Sequence, residues 1–303
     1  MNDQWPQPAT CDFRFSLQNR YAGERLLDGL TALHVSNRAV TLSGRATLSG
    51  KGMSKEDFVA AREQAIRSAF ANFLDVHDLP CADDLVILDV EPEKCAPRHL
   101  GDFQDAELAE LVRAYKLRIH IARQLLQESH VPRLRLGLYQ VIVPDGKGRD
   151  SRGFQRRMAG YRQAGCLGMY DELDFICPVL YHRFGVADTD PATVRQWVAR
   201  STRQAIEGSP ELRRSDGGRI PLVPIVSFWV FNGRSSSNRS ATLPDAVALQ
   251  LDGVQRSIGI SAVLFWSGWQ TRLEMKTAKD PVEAINLIEF MEQTGSLPWP
   301  GCP

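Results

Sequence analysis

The sequence predicts an α/β chain folded as a (β/α) barrel of the TIM type, with eight strands or fewer. Three observations point there. From residue 84 onward, short apolar runs alternate with helix-length segments in the order β-α-β-α-β-α-β-α-β-α. The clearest run is apolar throughout instead of alternating, as a parallel strand covered on both faces reads. Polar and aromatic residues gather at the C-terminal ends of the runs, the side on which such barrels carry their chemistry. An open doubly wound sheet is the alternative. Against it, no strand is followed by a GxGxxG or GxxxxGK[ST] phosphate loop.

One barrel domain is expected over residues 1–303, with residues 1–50 irregular or atypical. Residues 1–30 show no regular pattern, and two short strand-like runs follow at 32–35 and 39–42. Ser54 opens a helix with Asp57 three positions on, close to a capping box. The apolar face of that helix runs Phe58, Ala61, Ala65, Ala69, Phe70 and Phe73. The acidic stretch Asp84-Leu85-Val86-Ile87-Leu88-Asp89-Val90-Glu91-Pro92-Glu93 comes next. Strand side chains alternate, so Asp89 and Glu91 share a face, and Pro92 closes the strand because it cannot donate to a ladder.

A long helix is expected over residues 105–128, where Leu108, Leu111, Val112, Tyr115, Ile119, Ala122, Leu125 and Leu126 recur at three-to-four spacing. Residues 134–143 read as a strand ending at Pro144-Asp145-Gly146, and 146–157 as a strongly basic loop. A second buried strand covers 174–181. Asp190 as N-cap, with Pro191 at the first helical position, starts a helix through Ile206. The polar loop 213–219 feeds a strand at 222–230, and the Ser-rich segment 232–240 is expected to be mobile. Thr242 and Pro244 open a helix that stops at Gly259; residues 261–266 form the last strand, and Asp280-Pro281 caps a final helix.

Composition narrows the function. The 303 residues are 43% hydrophobic, enough for a sizeable core, with 36 basic and 36 acidic residues. That balance gives no electrostatic case for nucleic acid. No apolar run reaches membrane-spanning length, so no membrane partner is expected. Met1-Asn2-Asp3-Gln4-Trp5-Pro6 shows no signal peptide, which leaves cytoplasmic residence, export by another route or a trimmed chain open. The six cysteines are dispersed, without a CxxC pair or zinc-spaced histidines, so no structural metal is expected. Cys177 reads as a core thiol; a Cys81–Cys95 disulfide stays open.

The strand ends carry Asp89 and Glu91, Tyr139 and Asp145, Tyr181 and His182, Trp229 and Asn232, and Trp266 and Trp269. A carboxylate at one strand end can simply cap a helix or pair with an arginine, and a single aromatic there is more often core. Several such ends around one mouth fit a sugar-processing cleft instead. Aromatic faces stack on pyranose rings, and carboxyl groups act as acid and base at the glycosidic oxygen.

Over roughly residues 85–295 the chain resembles the hyaluronidase family of glycoside hydrolases. Leu88-Asp89-Val90-Glu91 is similar to the family's Asp-x-Glu strand end. Cys177-Pro178-Val179-Leu180-Tyr181 resembles its Tyr-Pro-Ser-Ile-Tyr strand, and Pro221-Leu222-Val223-Pro224 its Pro-Val-Leu-Pro. The stretch 262–272 (AVLFWSGWQTR) is similar to Val-Leu-Trp-x-Ser-Trp-x-x-Thr-Arg. Pro92 departs from the family, which has Trp there, and the strand with Tyr139 lacks the Cys-Tyr-Asn continuation.

The resemblance implies an endo-acting enzyme on a β-linked, N-acetylhexosamine-containing polysaccharide, by a substrate-assisted retaining mechanism with no metal or organic cofactor. Glu91 would be general acid and then base, and Asp89 would orient the substrate's acetamido group. Two carboxylates on one strand face resist joint ionisation, which keeps a proton available near neutral pH. Tyr139, Tyr181, Asn232, Trp266 and Trp269 are the expected substrate contacts. Glu93 lies beyond Pro92, and His182 beside Tyr181 reads more readily as structural than as a substrate contact. Lys147, Arg149, Arg152, Arg156 and Arg157 would either be solvated or form a cationic rim suited to an anionic, hyaluronan-like glycan. A non-catalytic carbohydrate-binding barrel and a peptidoglycan glycosidase are the other readings. No feature bears on oligomeric state.

Overall fold

Val86 and Leu88 on one side of the acidic strand, and Ile87 on the other, are each at most 1% exposed, so both faces are covered as the unbroken apolar run requires. The structure is a computed structural model that describes residues 14–17, 39–43, 54–76, 85–89, 95–128, 135–180, 182–184, 191–226, 229–232, 239–241 and 262–265. Its strands are β1 (Arg14–Leu17), β2 (Ala39–Ser43), β3 (Leu85–Asp89), β4 (Arg135–Tyr139), β5 (Phe175–Cys177), β6 (His182–Phe184), β7 (Ile225–Val226), β8 (Trp229–Asn232), β9 (Arg239–Ala241) and β10 (Ala262–Phe265). The helices are α1 (Lys55–Ala60), α2 (Glu63–Val76), α3 (Asp105–Glu128), α4 (Arg152–Cys166) and α5 (Pro191–Gly208), with short 3-10 helices at Pro97–Asp102 and Ser209–Glu211.

One sheet runs β2-β3-β4-β5 and another β1-β10-β7. Parallel bridges at Ile176↔Leu222 and Val179↔Ile225 join them. Seven described strands therefore follow the order β2-β3-β4-β5-β7-β10-β1, all parallel, and the first of the chain sits beside the last. All seven C-terminal ends lie on one edge. Beyond β5 and β7, β6 pairs parallel with β8, which pairs antiparallel with β9.

The two faces of the array bury different residues. Val86, Leu88, Leu136, Leu138, Ile176 and Leu222 pack with α3, α4 and α5 in one continuous apolar core. Ile87, Phe175, Cys177 and Val223 are equally buried but lie on the opposite face, away from that core. Gly137 is needed on this second face, because a Cβ there would collide with the Phe175 ring beside it. The 3-10 helix at Pro97–Asp102 seats on α4 with backbone against backbone, at Gly101 and Gly160, where a Cβ on either would strike the other segment.

Several expectations need correction. Residues 14–17, expected to be irregular, form β1. The helix opened by Ser54 is two helices, interrupted at Ala61 and Arg62. The buried Arg118 guanidinium donates to Phe58 O (2.7 Å), the carbonyl that Arg62 N–H would use in a continuous helix. The strand at 134–143 stops at Tyr139, because Gln140 and Ile142 take positive φ (62° and 63°). The basic loop at 146–157 gives way at Arg152 to the first turns of α4, capped by Ser151 accepting from Phe154 N–H (3.1 Å). The strand at 222–230 divides into β7 and β8, and the Ser-rich segment has strands at both ends, since Asn232 closes β8 and Arg239–Ala241 is β9. Cys95 is a free buried thiol, and Cys81 lies outside the described residues. The run at 32–35 and the helices expected at 242–259 and after Asp280 lie outside the described residues.

Candidate functional site

The edge at which the seven strands end is built in layers. Ile87, Gly137 and Phe175 lie level across β3, β4 and β5, with the Phe175 ring over Gly137, and they make a closed floor. One layer nearer the strand ends, on the same face, come Asp89, Tyr139 and Cys177, with Ser43 of β2 as Asp89's partner in the register. Cys177 is fully buried, and so is Val223 beside it, whereas Asp89 and Tyr139 are half-buried. Partly exposed polar residues at this level thus stand on β3 and β4, above a buried apolar floor, and the Asp89 Oδ1 oxygen is itself shut off from solvent. Neighbouring strands stand about 4.8 Å apart, which sets Asp89 and Tyr139 level on adjacent strands and on the same face. Burial pushes the Cys177 thiol well above its ordinary range, so it is a spacer and not a nucleophile.

Such a layer can receive a polar ligand from the open side. A carboxylate beside a phenol can orient an N–H or hydroxyl group and stabilise a nearby positive charge. Among the described residues no cluster of His, Cys, Asp and Glu could hold a metal ion.

Of the other predicted site residues, Asn232 closes β8 opposite Phe184 of β6, and His182 opens β6, but their side chains lie outside the described ones. Glu91, Tyr181, Trp266 and Trp269 lie outside the described residues. Trp266 directly follows β10, whose last residue Phe265 pairs with Val226 at the same edge as Asp89.

Asp145, expected at this mouth, has a different task. Its carboxylate accepts from Ser151 Oγ (2.5 Å), Gln204 Nε2 (2.9 Å) and Lys147 N–H (3.0 Å). Burial alone would raise its pKa, but those hydrogen bonds and the Arg157 charge outweigh it and hold the carboxyl below its ordinary value of 3.8. Gln204, 1% exposed on α5, accepts in turn from the N–H groups of Asp145 (3.2 Å) and Gly146 (3.0 Å). Asp145 therefore folds the loop between β4 and α4. No sequence signal pairs two residues 59 positions apart.

The cationic rim is also largely neutralised. Arg149 pairs with Glu211 (2.9 Å), Arg156 with Asp102 (3.0 Å) and Arg157 with Asp145 (3.5 Å). Lys147 and Arg152 stay exposed. Two residues that sequence reasoning did not single out border the Tyr139 end: Arg98 Nη1 donates to the side-chain oxygen of Gln140, which follows Tyr139 directly.

No family model matches the sequence, and no curated protein matches it either. Among solved structures, the fold is similar to bee venom hyaluronidase in its monoclinic crystal form, with a TM-score of 0.52, 10% identity, and 86% of each chain covered. It is similar as well to bee venom hyaluronidase in complex with a hyaluronic acid tetramer, with a TM-score of 0.51, 10% identity, and 85% of this chain and 83% of that one covered. In fold, this chain resembles a hyaluronidase.

Proposed function

We propose that this chain is a glycoside hydrolase whose parallel array closes into a single (β/α) barrel domain. Its substrate is a β-linked polysaccharide containing N-acetylhexosamine, of the hyaluronan type. One observation carries the reading: Asp89 stands half-buried at the C-terminal end of β3, level with Tyr139 and above a buried apolar floor, in a fold similar to a protein crystallised with a hyaluronic acid tetramer.

The mechanism is substrate-assisted and retaining, one of the schemes that dispense with a second nucleophilic carboxylate. Glu91 donates its proton to the leaving glycosidic oxygen while the substrate's acetamido oxygen attacks the anomeric carbon. Asp89 accepts from the acetamido N–H and stabilises the oxazolinium-like charge. Glu91, now ionised, takes a proton from the water that opens the ring. Tyr139, Tyr181 and Asn232 hydrogen-bond the sugar, and Trp266 and Trp269 wall it.

A second reading has its own support. With Arg149, Arg156 and Arg157 ion-paired, the expected attraction for uronic acids shrinks, which favours an uncharged or peptide-bearing amino-sugar chain such as chitin or peptidoglycan. Parallel turnover assays on hyaluronan, chondroitin, chitin oligomers and peptidoglycan decide between them. Release of new reducing ends from hyaluronan supports the first reading, and release from chitin or peptidoglycan alone supports the second. Binding of any of these glycans with no new reducing ends would leave a carbohydrate-binding barrel without hydrolase activity.

A further inference from the structure

We propose that Arg98 is a positioning residue: it holds the left-handed corner at Gln140 and so aims Tyr139, beside Asp89, at bound substrate. The substrate half of this inference rests on the glycosidase reading; the corner does not. Gln140 and Ile142 take φ values of 62° and 63°, a region that side-chain-bearing residues rarely adopt and that is least tolerable for a β-branched one. Backbone so placed persists only when its surroundings over-determine it. Packing does part of that, because Val141 and Ile142 are buried in the main core.

Arg98 supplies a directed contact. Its Nη1 donates to the Gln140 side-chain oxygen, and Gln140 is 3% exposed, so this charged donor acts on an amide removed from water. Arg98 is itself oriented. Its Nε donates to His99 Nε2 (3.2 Å), which places the His99 proton on Nδ1, facing Asp102 Oδ2 at 3.1 Å. The other Asp102 oxygen pairs with Arg156 of α4. The 3-10 helix bearing all three residues is locked on α4 at Gly101 and Gly160. An anchored chain thus runs from α4 through Asp102, His99 and Arg98 to Gln140, and the next residue back is Tyr139. Arg98 thereby ties the 3-10 helix at Pro97–Asp102 to the end of β4.

The test compares the full-length wild type with Arg98→Ala, Arg98→Lys, Gln140→Gly and the double variant Arg98→Ala/Gln140→Gly. Amide hydrogen exchange is read on peptides covering 139–143, and kcat and KM are read on hyaluronan. In Arg98→Ala, exchange at 139–143 should rise about tenfold while α3 is unchanged, and kcat should fall about tenfold with KM within about twofold. Arg98→Lys keeps the charge without the fork and should behave similarly. Gln140→Gly adopts positive φ without strain, so adding Arg98→Ala to it should cost little further kcat. Unchanged exchange at 139–143 in Arg98→Ala would overturn the corner. Raised exchange with unchanged kcat would overturn the aiming of Tyr139, as would a double variant no better than Arg98→Ala. A wild type that cleaves no glycan would sink the glycosidase reading and with it the catalytic half of the inference, while the exchange result still decides the corner.

Discussion

Asp145 shows how a residue's chemistry can be legible while its role is not. The sequence marks it as an acid just past a strand, and the fold uses it to gather Ser151, Gln204 and the Lys147 N–H around one carboxylate. Its folded pKa is lowered, so it binds a proton less readily folded than unfolded. The stability it contributes is present above its unfolded value of 3.8 and is lost as pH falls through the lower folded value. Asp145→Asn should therefore destabilise the protein by about 1–2 kcal/mol at pH 7, and the gap to the wild type should close in strongly acid solution. Urea unfolding of both proteins across that range measures it. A gap that stays constant with pH would show the carboxylate charge to be irrelevant. Asp89 is the converse case, because strand alternation alone places it on the face where it stands beside Tyr139.

Elements whose burial pattern is local were readable. The long helix at Asp105–Glu128 matches its three-to-four periodicity from end to end, and the capping serine at 54 accepts from Asp57 N–H (3.0 Å). Elements shaped by distant partners were not. The split between α1 and α2 depends on Arg118, sixty positions on, which is wholly buried and takes the Phe58 carbonyl. Burial lowers its pKa to about 10, still far above neutral pH, so it remains charged beneath the Phe58 ring at 3.8 Å. The early end of β4 depends on Arg98 and Gln140, and β1 depends on β10, nearly the whole chain away. Packing within the array gives a prediction at this scale. Gly137→Ala forces a methyl into the Phe175 ring and should cost about 1–3 kcal/mol, read as a lowered Tm. Combining it with Phe175→Leu should recover part of the loss. An alanine variant as stable as the wild type would mean that Gly137 and Phe175 do not share the floor beneath Asp89.

For the whole molecule, the order of strands matters more than any one of them. Seven parallel strands in cyclic sequence order, with the first beside the last, put every C-terminal end on one edge, so residues far apart in the chain emerge together. Helix-length spacing between apolar runs made the α/β class legible, and strand alternation made legible the face that Asp89 shares with Tyr139. The charge of the mouth was not, because the partners of Arg149, Arg156 and Arg157 come from three separate segments. The proposed glycosidase uses the Glu91 proton at this edge, and turnover of hyaluronan by Glu91→Gln beside the wild type tests that role. Reducing-end release by the variant should fall about 10²–10⁴-fold, with glycan binding and thermal stability kept. Hydrolysis by Glu91→Gln at the wild-type rate would contradict it.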